Sequence, residues 1–322
     1  MTYHPGTDTA VANTHGPKTC NVIAMPMTKT VHVDINRIDD YVENGDVTRP
    51  FKTVAAAIAA ATGKFLINFA PGTYPGNLVF PVGVSVAGCG TGNTIFSGNI
   101  TIPAGGPVHI YGVLWQGTLE IHAPCSLIDC FGMGQLLVKG TATIQCYNTH
   151  VTPASGIIPL KMESSGKFHS ILASLISTGD VPAIDQNNGM LVLDKLQISA
   201  NRAAGPALLS TAGVVNVMNC YVLNYGGGAS MDIQNGATTT PNSIADVMVA
   251  GNVVCGTAVT SLGVLKFLSG ALTGSKLSTG GLTANRPASP TLYQSYFDTG
   301  LGTPRTIWWT GAAWVDATGT GV

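Results

Sequence analysis

The sequence predicts an all-β chain wound as a stack of coils, a β-solenoid, opened by one short helix and closed by a small C-terminal β-meander. Three observations carry that prediction. From about Phe65 to Cys255 the apolar stretches are short, rich in β-forming residues and punctuated by Gly, Asn or Pro turns, as in "FLINF", "VSVAG", "VHIYGVLW", "SLIDCF", "MLVLDKLQI" and "VVNVMNCYVL". No 3.6-residue pattern intervenes between them, which excludes βαβ units and a doubly wound sheet. Apolar positions also recur at one fixed step: Ile102 to Leu119 equals Leu119 to Leu136, and the same step joins Ile110, Leu127 and Ile144, and Ile121 with Val138. Columns sharing one step are what stacked coils give, whereas a β-sandwich requires no equal steps. Past Thr149 the step loosens, since Ile171 lies well beyond one such step from Ile144, so the later coils must differ in length.

The third observation is the lone helical segment, "KTVAAAIAAATG". Thr53 is a suitable N-cap, Gly63 a C-terminal stop, and Val54, Ile58 and Ala61 share one face, predicting a helix over 53–62. A solenoid must cover its terminal β-edges to avoid polymerising, and a helix just before the first rung suits that role. The organisation that follows is an N-terminal segment 1–30, a parallel solenoid over 31–270, a linker over 271–290 and a β-rich tail over 291–322. The linker, "ALTGSKLSTGGLTANRPASP", is marked by Gly, Ser, Thr and Pro. The tail holds three β-type runs around Tyr293–Phe297, Thr306–Trp309 and Trp314–Val315, too little chain to be stable unaided.

Composition narrows the function. The 322 residues carry 15 Lys+Arg and 16 Asp+Glu, a net charge of −1, and only 10% charged residues. Without clustered cations, nucleic acid is not a predicted partner. Polar surface must come from Thr, Ser, Asn and Gly, or a large subunit contact must hide part of the exterior. No apolar run approaches the length that crosses a bilayer, so no membrane partner is predicted. The N-terminus has neither the basic nor the apolar region of a secretory signal. The 7 Cys are widely spread and lack C-x-x-C spacing; they read as small core residues of a reduced protein, with no metal site and no cofactor.

Candidate chemistry is sparse. Only three Glu occur, Glu43, Glu120 and Glu163, and the rung acids Asp129, Asp180, Asp185, Asp194, Asp232 and Asp246 form no D-D or D-x-x-D pair. Glycan cleavage usually needs acids gathered on one face. In "TLEIHAP", alternation sends Glu120 and His122 outward together, which makes them the candidate acid–base pair; an ordinary surface pair is the competing interpretation. Asp180 and Asp185, in "TGDVPAIDQNN", read as turn residues. Asn216, Asn219 and Asn252 sit where Asn can stack and hydrogen-bond between coils. Trp308, Trp309 and Trp314, with Tyr296 and Phe297, either fill the core of a C-terminal knob or stack on a receptor glycan. Adjacent Trp308 and Trp309 in a strand point to opposite faces, so at most one of the two is a platform.

Two resemblances sharpen this. "GDVTRPFKTVAAAIAAA", "INFAPGTYPGNLVF" and "VSVAGCGTGNTIFSGNITI" together resemble the opening of the pectin-lyase-like right-handed parallel β-helix superfamily, a capping helix followed by an "APGTY" rung and a G-x-G, over about Gly45 to Ile102. The resemblance implies the fold; the superfamily spans lyases, hydrolases, esterases and non-enzymatic virion proteins, so no catalytic residue is carried over. The tail, Asn285 to Val322, resembles a C-terminal motif of tailed-bacteriophage fibre and appendage proteins, roughly "RP-x-x-P-x-x-G-Q-x-Y-F-D-T-x-L-G-x-P-x-W-W-x-G-x-x-W-V-D-A-T-G". Here it is matched by Arg286, Pro287, Gln294, Tyr296, Phe297, Asp298, Thr299, Trp308, Trp309, Trp314, Asp316 and Gly319 among others, with Tyr293 in place of a Gly and "RTI" before the Trp pair. That resemblance implies a virion protein, a homotrimer whose residues 1–30 dock to other virion proteins and whose β-helix faces a host-surface glycan. A glycan-depolymerising tailspike and a capsid-decorating head fibre are the alternatives.

Overall fold

The computed structural model describes residues 29–61 and 65–233, then the strands and one 3-10 turn between 242 and 286, and 295–322 apart from 299 and 317. The chain is a parallel β-helix with one short helix and a small C-terminal sheet. Its strands fall on three faces. The first sheet starts with Lys29–Val33 and Phe65–Phe69 and runs through Ser85–Ala87, Val108–Tyr111, Cys125–Ile128 and Ile144–Tyr147, each pairing in parallel with the next. The second includes Thr94–Phe96, Leu114–Trp115, Phe131–Gly132 and His150–Val151. The third has ten strands, from Leu78–Val79 through Leu119–Ile121 to Leu272–Gly274. Nine intervals at about 4.8 Å make the stack roughly 43 Å tall.

Strict alternation fills the interior. Leu119, Leu136, Leu160, Ile184 and Leu208 lie above one another, each fully buried, while the residue between interior positions faces out. Near the front, the Phe69 ring packs edge-on against Tyr74 and Phe96, with Phe69 to Phe96 ring centroids 4.9 Å apart, and the Tyr74 hydroxyl donates to the Ala70 carbonyl at 2.8 Å. Aromatic bulk thus fills the front of the core.

The equal-step columns are only partly real. Leu119 does sit over Leu136, Ile121 over Val138 and Ile110 over Leu127. Ile102, however, pairs with Ile121 and not Leu119, and Leu127 pairs with Cys146 and not Ile144. Rungs of the third sheet also differ in length: Ile100 pairs with Leu119, Leu119 with Leu136 and, across a longer coil, Leu160 with Ile184. Each misassigned pair is off by two, which keeps every side chain on its own face and so leaves the sequence pattern intact.

From the coil of Tyr111 to that of Tyr221, the corner between the first and second sheets has one construction. A single left-handed residue turns the chain: Gly112, Asp129, Asn148, Leu172, Lys195 and Asn219, with φ between 46° and 62°. At Leu172 and Lys195 the bend falls inside continuous strands, Lys167–Ile176 and Met190–Ala200. Asn148 donates to Asp129 at 2.7 Å and Asn219 to Asp194 at 3.0 Å, the between-coil bonding expected of Asn219. Asn216 instead lies mid-strand, facing outward, and Asn252 lies outside the described residues.

At the front, Thr53 caps the helix Val54–Ala60 by accepting the Ala56 amide at 3.2 Å, and Val54, Ala57 and Ala61 enter the core with Ile58 at its margin. Gly63 lies outside the described residues. The helix does not precede the first rung: the strand Lys29–Val33 comes before it and pairs with Phe65–Phe69. The outer edge of that strand is covered by the loop 44–51, since His32 donates to Gly45 (2.8 Å), Phe51 to His32 (2.8 Å) and Asp34 to Phe51 (2.9 Å). A helix has spent its own amides and carbonyls, so hydrogen-bonded closure of a β-edge falls to a loop.

Two further expectations change. The stretch read as a linker begins with a rung, Leu272–Gly274 pairing with Val253–Cys255, and continues through Gly280–Gly281, which joins the C-terminal sheet. The cysteines are not all reduced: Cys125, Cys130, Cys146 and Cys220 are free and buried, but Cys89 is disulfide-bonded. Cys89 occupies the "GCG" turn, half-buried at the surface and not in an interior column.

Candidate functional site

The outer face of the third sheet carries a ladder of charged side chains. Glu120 projects from the strand Leu119–Ile121 and His122 follows it; both are half-buried. His122 Nε2 lies 2.6 Å from Glu120 Oε1, and the Lys139 ammonium lies 3.2 Å from the same oxygen. One rung on, Lys161 pairs with Glu163 at 2.6 Å, and Asp185 sits beside Lys161 across the next parallel pairing. The hydrogen bond from His122 chiefly, with Lys139 adding to it against partial burial, holds the Glu120 carboxyl below its usual range. The Glu163 bond pushes the Lys161 ammonium up. Each group is thereby fixed in its charged form. A general acid at neutral pH needs its carboxyl raised instead. The ladder therefore suits recognition of a polar ligand by ion pairs and hydrogen bonds better than proton delivery by Glu120.

The structure brings Glu120 and His122 together as alternation requires. Sequence reasoning missed Lys139, Lys161 and Glu163 as their neighbours, although the same step that relates Leu119 to Leu136 also relates His122 to Lys139. Asp180 lies in a loop, 3.7 Å from Arg202, but Asp185 is the outward residue of the strand Ile184–Gln186 and not a turn residue. Also unforeseen is a contact on the second sheet, His150 Nδ1 to the Ser174 hydroxyl at 2.7 Å.

The C-terminal sheet places the aromatics on two faces. Strands Ser295–Asp298, Arg305–Trp309 and Trp314–Val315 are antiparallel, pairing Tyr296 with Ile307 and Trp309 with Trp314. Tyr296, Ile307 and Trp314 are buried together, with Leu301, Trp309 and Val322 packed against them. The Trp309 and Trp314 rings lie 5.6 Å apart. Trp308 pairs with Ser295 and Val315 on the opposite face and is half-buried. The side chain of Phe297 lies outside the described residues. Beneath the aromatics, fully buried Asp298 accepts from Arg286 Nε (2.6 Å), Thr283 Oγ1 (2.8 Å) and the Gly300 amide (2.8 Å). Burial pushes its carboxyl up, and these three donors together outweigh burial, so it titrates below the ordinary range. Asp316 likewise gathers Thr318, Thr320 and Arg305.

No protein-family profile matches the chain, and no curated protein does. Among solved structures it is similar to the crystal structure of the pectate lyase Pel9A, with a TM-score of 0.46 and 13% identity over 87% of this chain and 82% of that one. Likeness at that level carries nothing about activity. Among the described residues, no helix is long and apolar enough to cross a membrane.

Proposed function

We propose that this chain is a structural bacteriophage virion protein, a fibre- or spike-type appendage that presents its β-helix for attachment to the host surface. The observation that carries the proposal is the C-terminal sheet. The residues through which the tail resembles phage appendages include Tyr296, Trp309 and Trp314 of its core, Arg286 and Asp298 of its buried ion pair, and Asp316, which pairs with Arg305 nearer the surface. A stack roughly 43 Å tall with one continuous core is a stiff rod, which suits display. In this role residues 1–30, of which 1–28 lie outside the described residues, dock to other virion proteins, the chain assembles with itself in a threefold arrangement, and Trp308 is the candidate for stacking on a host glycan.

Gold-labelled antibody imaging of intact particles tests the role: label on tail fibres supports it, label over the capsid indicates a head-decorating protein, and unlabelled particles refute both. A depolymerase is the second possibility, favoured by the Glu120–His122–Lys139 contact. Incubation with host polysaccharide, followed for new reducing ends or unsaturated products, decides it. Product lost in Glu120→Ala or His122→Ala would establish an enzyme at that site, and absence of product with the native chain removes it.

A further inference from the structure

Alternation of burial breaks down at the front of the first sheet. On later coils its outer positions open to solvent: His109, Tyr111, Ser126 and Ile128 are half-buried, and Gln145 and Tyr147 are exposed. On the two coils behind the front strand, the outer side chains Leu66, Asn68, Ser85 and Ala87 are 4%, 6%, 0% and 0% exposed. Phe65–Phe69 and Ser85–Ala87 are therefore buried on both faces. Pairing with neighbouring strands hides a strand's edges and leaves its outer face open. The helix Val54–Ala60 packs into the interior with Ile67 and Phe69, and Leu66 and Ala87 stand apart from that core. Asn68 Oδ1 is buried there with no hydrogen-bond donor among the described residues. A second layer must lie over this face.

Cys89, two residues beyond Ala87, has its sulfur 3.3 Å from the Phe69 carbonyl oxygen and is disulfide-bonded. Its partner follows by elimination. Cys125, Cys130, Cys146 and Cys220 are free, which leaves Cys20 and Cys255. The strand Val253–Cys255 stands seven places along the third sheet from Ile100–Ile102, the strand of the Cys89 coil, or about 34 Å away. A disulfide joins α-carbons roughly 4.4–6.8 Å apart. Cys255 is out of reach.

We propose that Cys20 is the partner of Cys89 and that the segment of this chain around Cys20 is the layer over Leu66, Asn68, Ser85 and Ala87. Cys20 lies outside the described residues, and chain length fits the assignment. From Lys29 back to Cys20 is about 30 Å of extended chain, whereas two coils and one strand separate Lys29 from Cys89, roughly 20 Å. The face is uncharged and offers one open acceptor, which matches the uncharged run "TCNVIAMPM" with its backbone amides and apolar side chains. The bond closes a loop that holds the strand Lys29–Val33, the loop 44–51 and the helix, so it locks the whole front cap. Closing it removes two electrons and two protons from the thiols; a low-molecular-weight disulfide accepts them and leaves as two thiols. Burial pushes the thiols of Cys125, Cys130, Cys146 and Cys220 up, which keeps them out of this exchange. The inference is independent of the virion role.

The bond is tested on the full chain, treated with oxidised glutathione, unfolded without reduction, alkylated and digested for mass spectrometry. One peptide pair joined through Cys20 and Cys89 is expected, with Cys255 alkylated. Alkylated Cys20, or Cys89 joined to any other thiol, overturns it. Reductant should lower the melting temperature of the native chain by several degrees and leave that of Cys20→Ser, already lowered, unchanged; native and variant chains that melt alike overturn the locking of the cap. The cover is tested with a photoreactive benzophenone side chain in place of His109, whose amide donates to the Ser85 hydroxyl. A crosslink to residues 1–28 of the same chain is expected. Crosslinks only to a second chain, only to the solenoid, or none, overturn the cover.

Discussion

At the scale of single residues, the left-handed corner and the buried Asp298 show how local chemistry is set by position. Lys195 occupies the corner with φ 54° and gains nothing from its side chain to offset that backbone, which costs an L-residue about 1–2 kcal/mol. Lys195→Asn should raise stability by up to about 1 kcal/mol, because Asn tolerates the conformation and can bond between coils as Asn148 does. A urea midpoint that falls in this variant would contradict it. Asp298 has its folded carboxyl below the unfolded value of about 3.9, so its contribution is complete above that pH and is lost as pH falls through the folded value. The C-terminal sheet should therefore hold at neutral pH and loosen below about pH 4, seen as a change in tryptophan emission from Trp309 and Trp314. In Asp298→Asn that acid transition should disappear.

Elements are decided by caps and by how closely coils approach. Thr53→Ala removes the acceptor for the Ala56 amide and should cost about 1 kcal/mol, measured as a lower melting temperature. Gly132 faces the Trp115 ring one coil away so closely that a β-carbon there would overlap Trp115 Cζ2 and Cε2. Gly132→Ala should destabilise by roughly 1–3 kcal/mol through overpacking, against near-neutral effects at open Gly302. An unchanged melting temperature for Gly132→Ala would show that the ring can move aside. The helix was legible because Thr53, the alanines and the 3.6-residue spacing all lie within one short stretch. The loop 44–51 that closes the first strand was not, because the hydrogen bonds between Phe51 and His32 join residues far apart along the chain and leave no local pattern.

For the whole molecule, a stack behaves as neighbours holding neighbours, so its ends control association. A chain beginning at Phe65 loses the strand Lys29–Val33, the loop over it and the helix, and exposes a full β-edge. It should aggregate or form fibres where the full chain does not, which light scattering would detect; a clear, monodisperse truncation would show that the front cap is dispensable.

What the sequence determined by itself is the repeating unit: alternation of inward and outward residues, the turn residues between strands, the one helix with its cap, and the outward placement of Glu120 with His122. These follow from periods of 2 and 3.6 residues, which are local properties of the chain. Tertiary structure alone decided the register between coils, which slips by two at Ile102 and Ile144 without changing any face, and therefore which charges meet. Lys139 reaches Glu120 from the next coil, and Leu172 joins Tyr147 and Tyr221 on one corner although the coils between them differ in length. Rung length is set by loops, and loop length leaves the hydrophobic pattern of the strands unaltered.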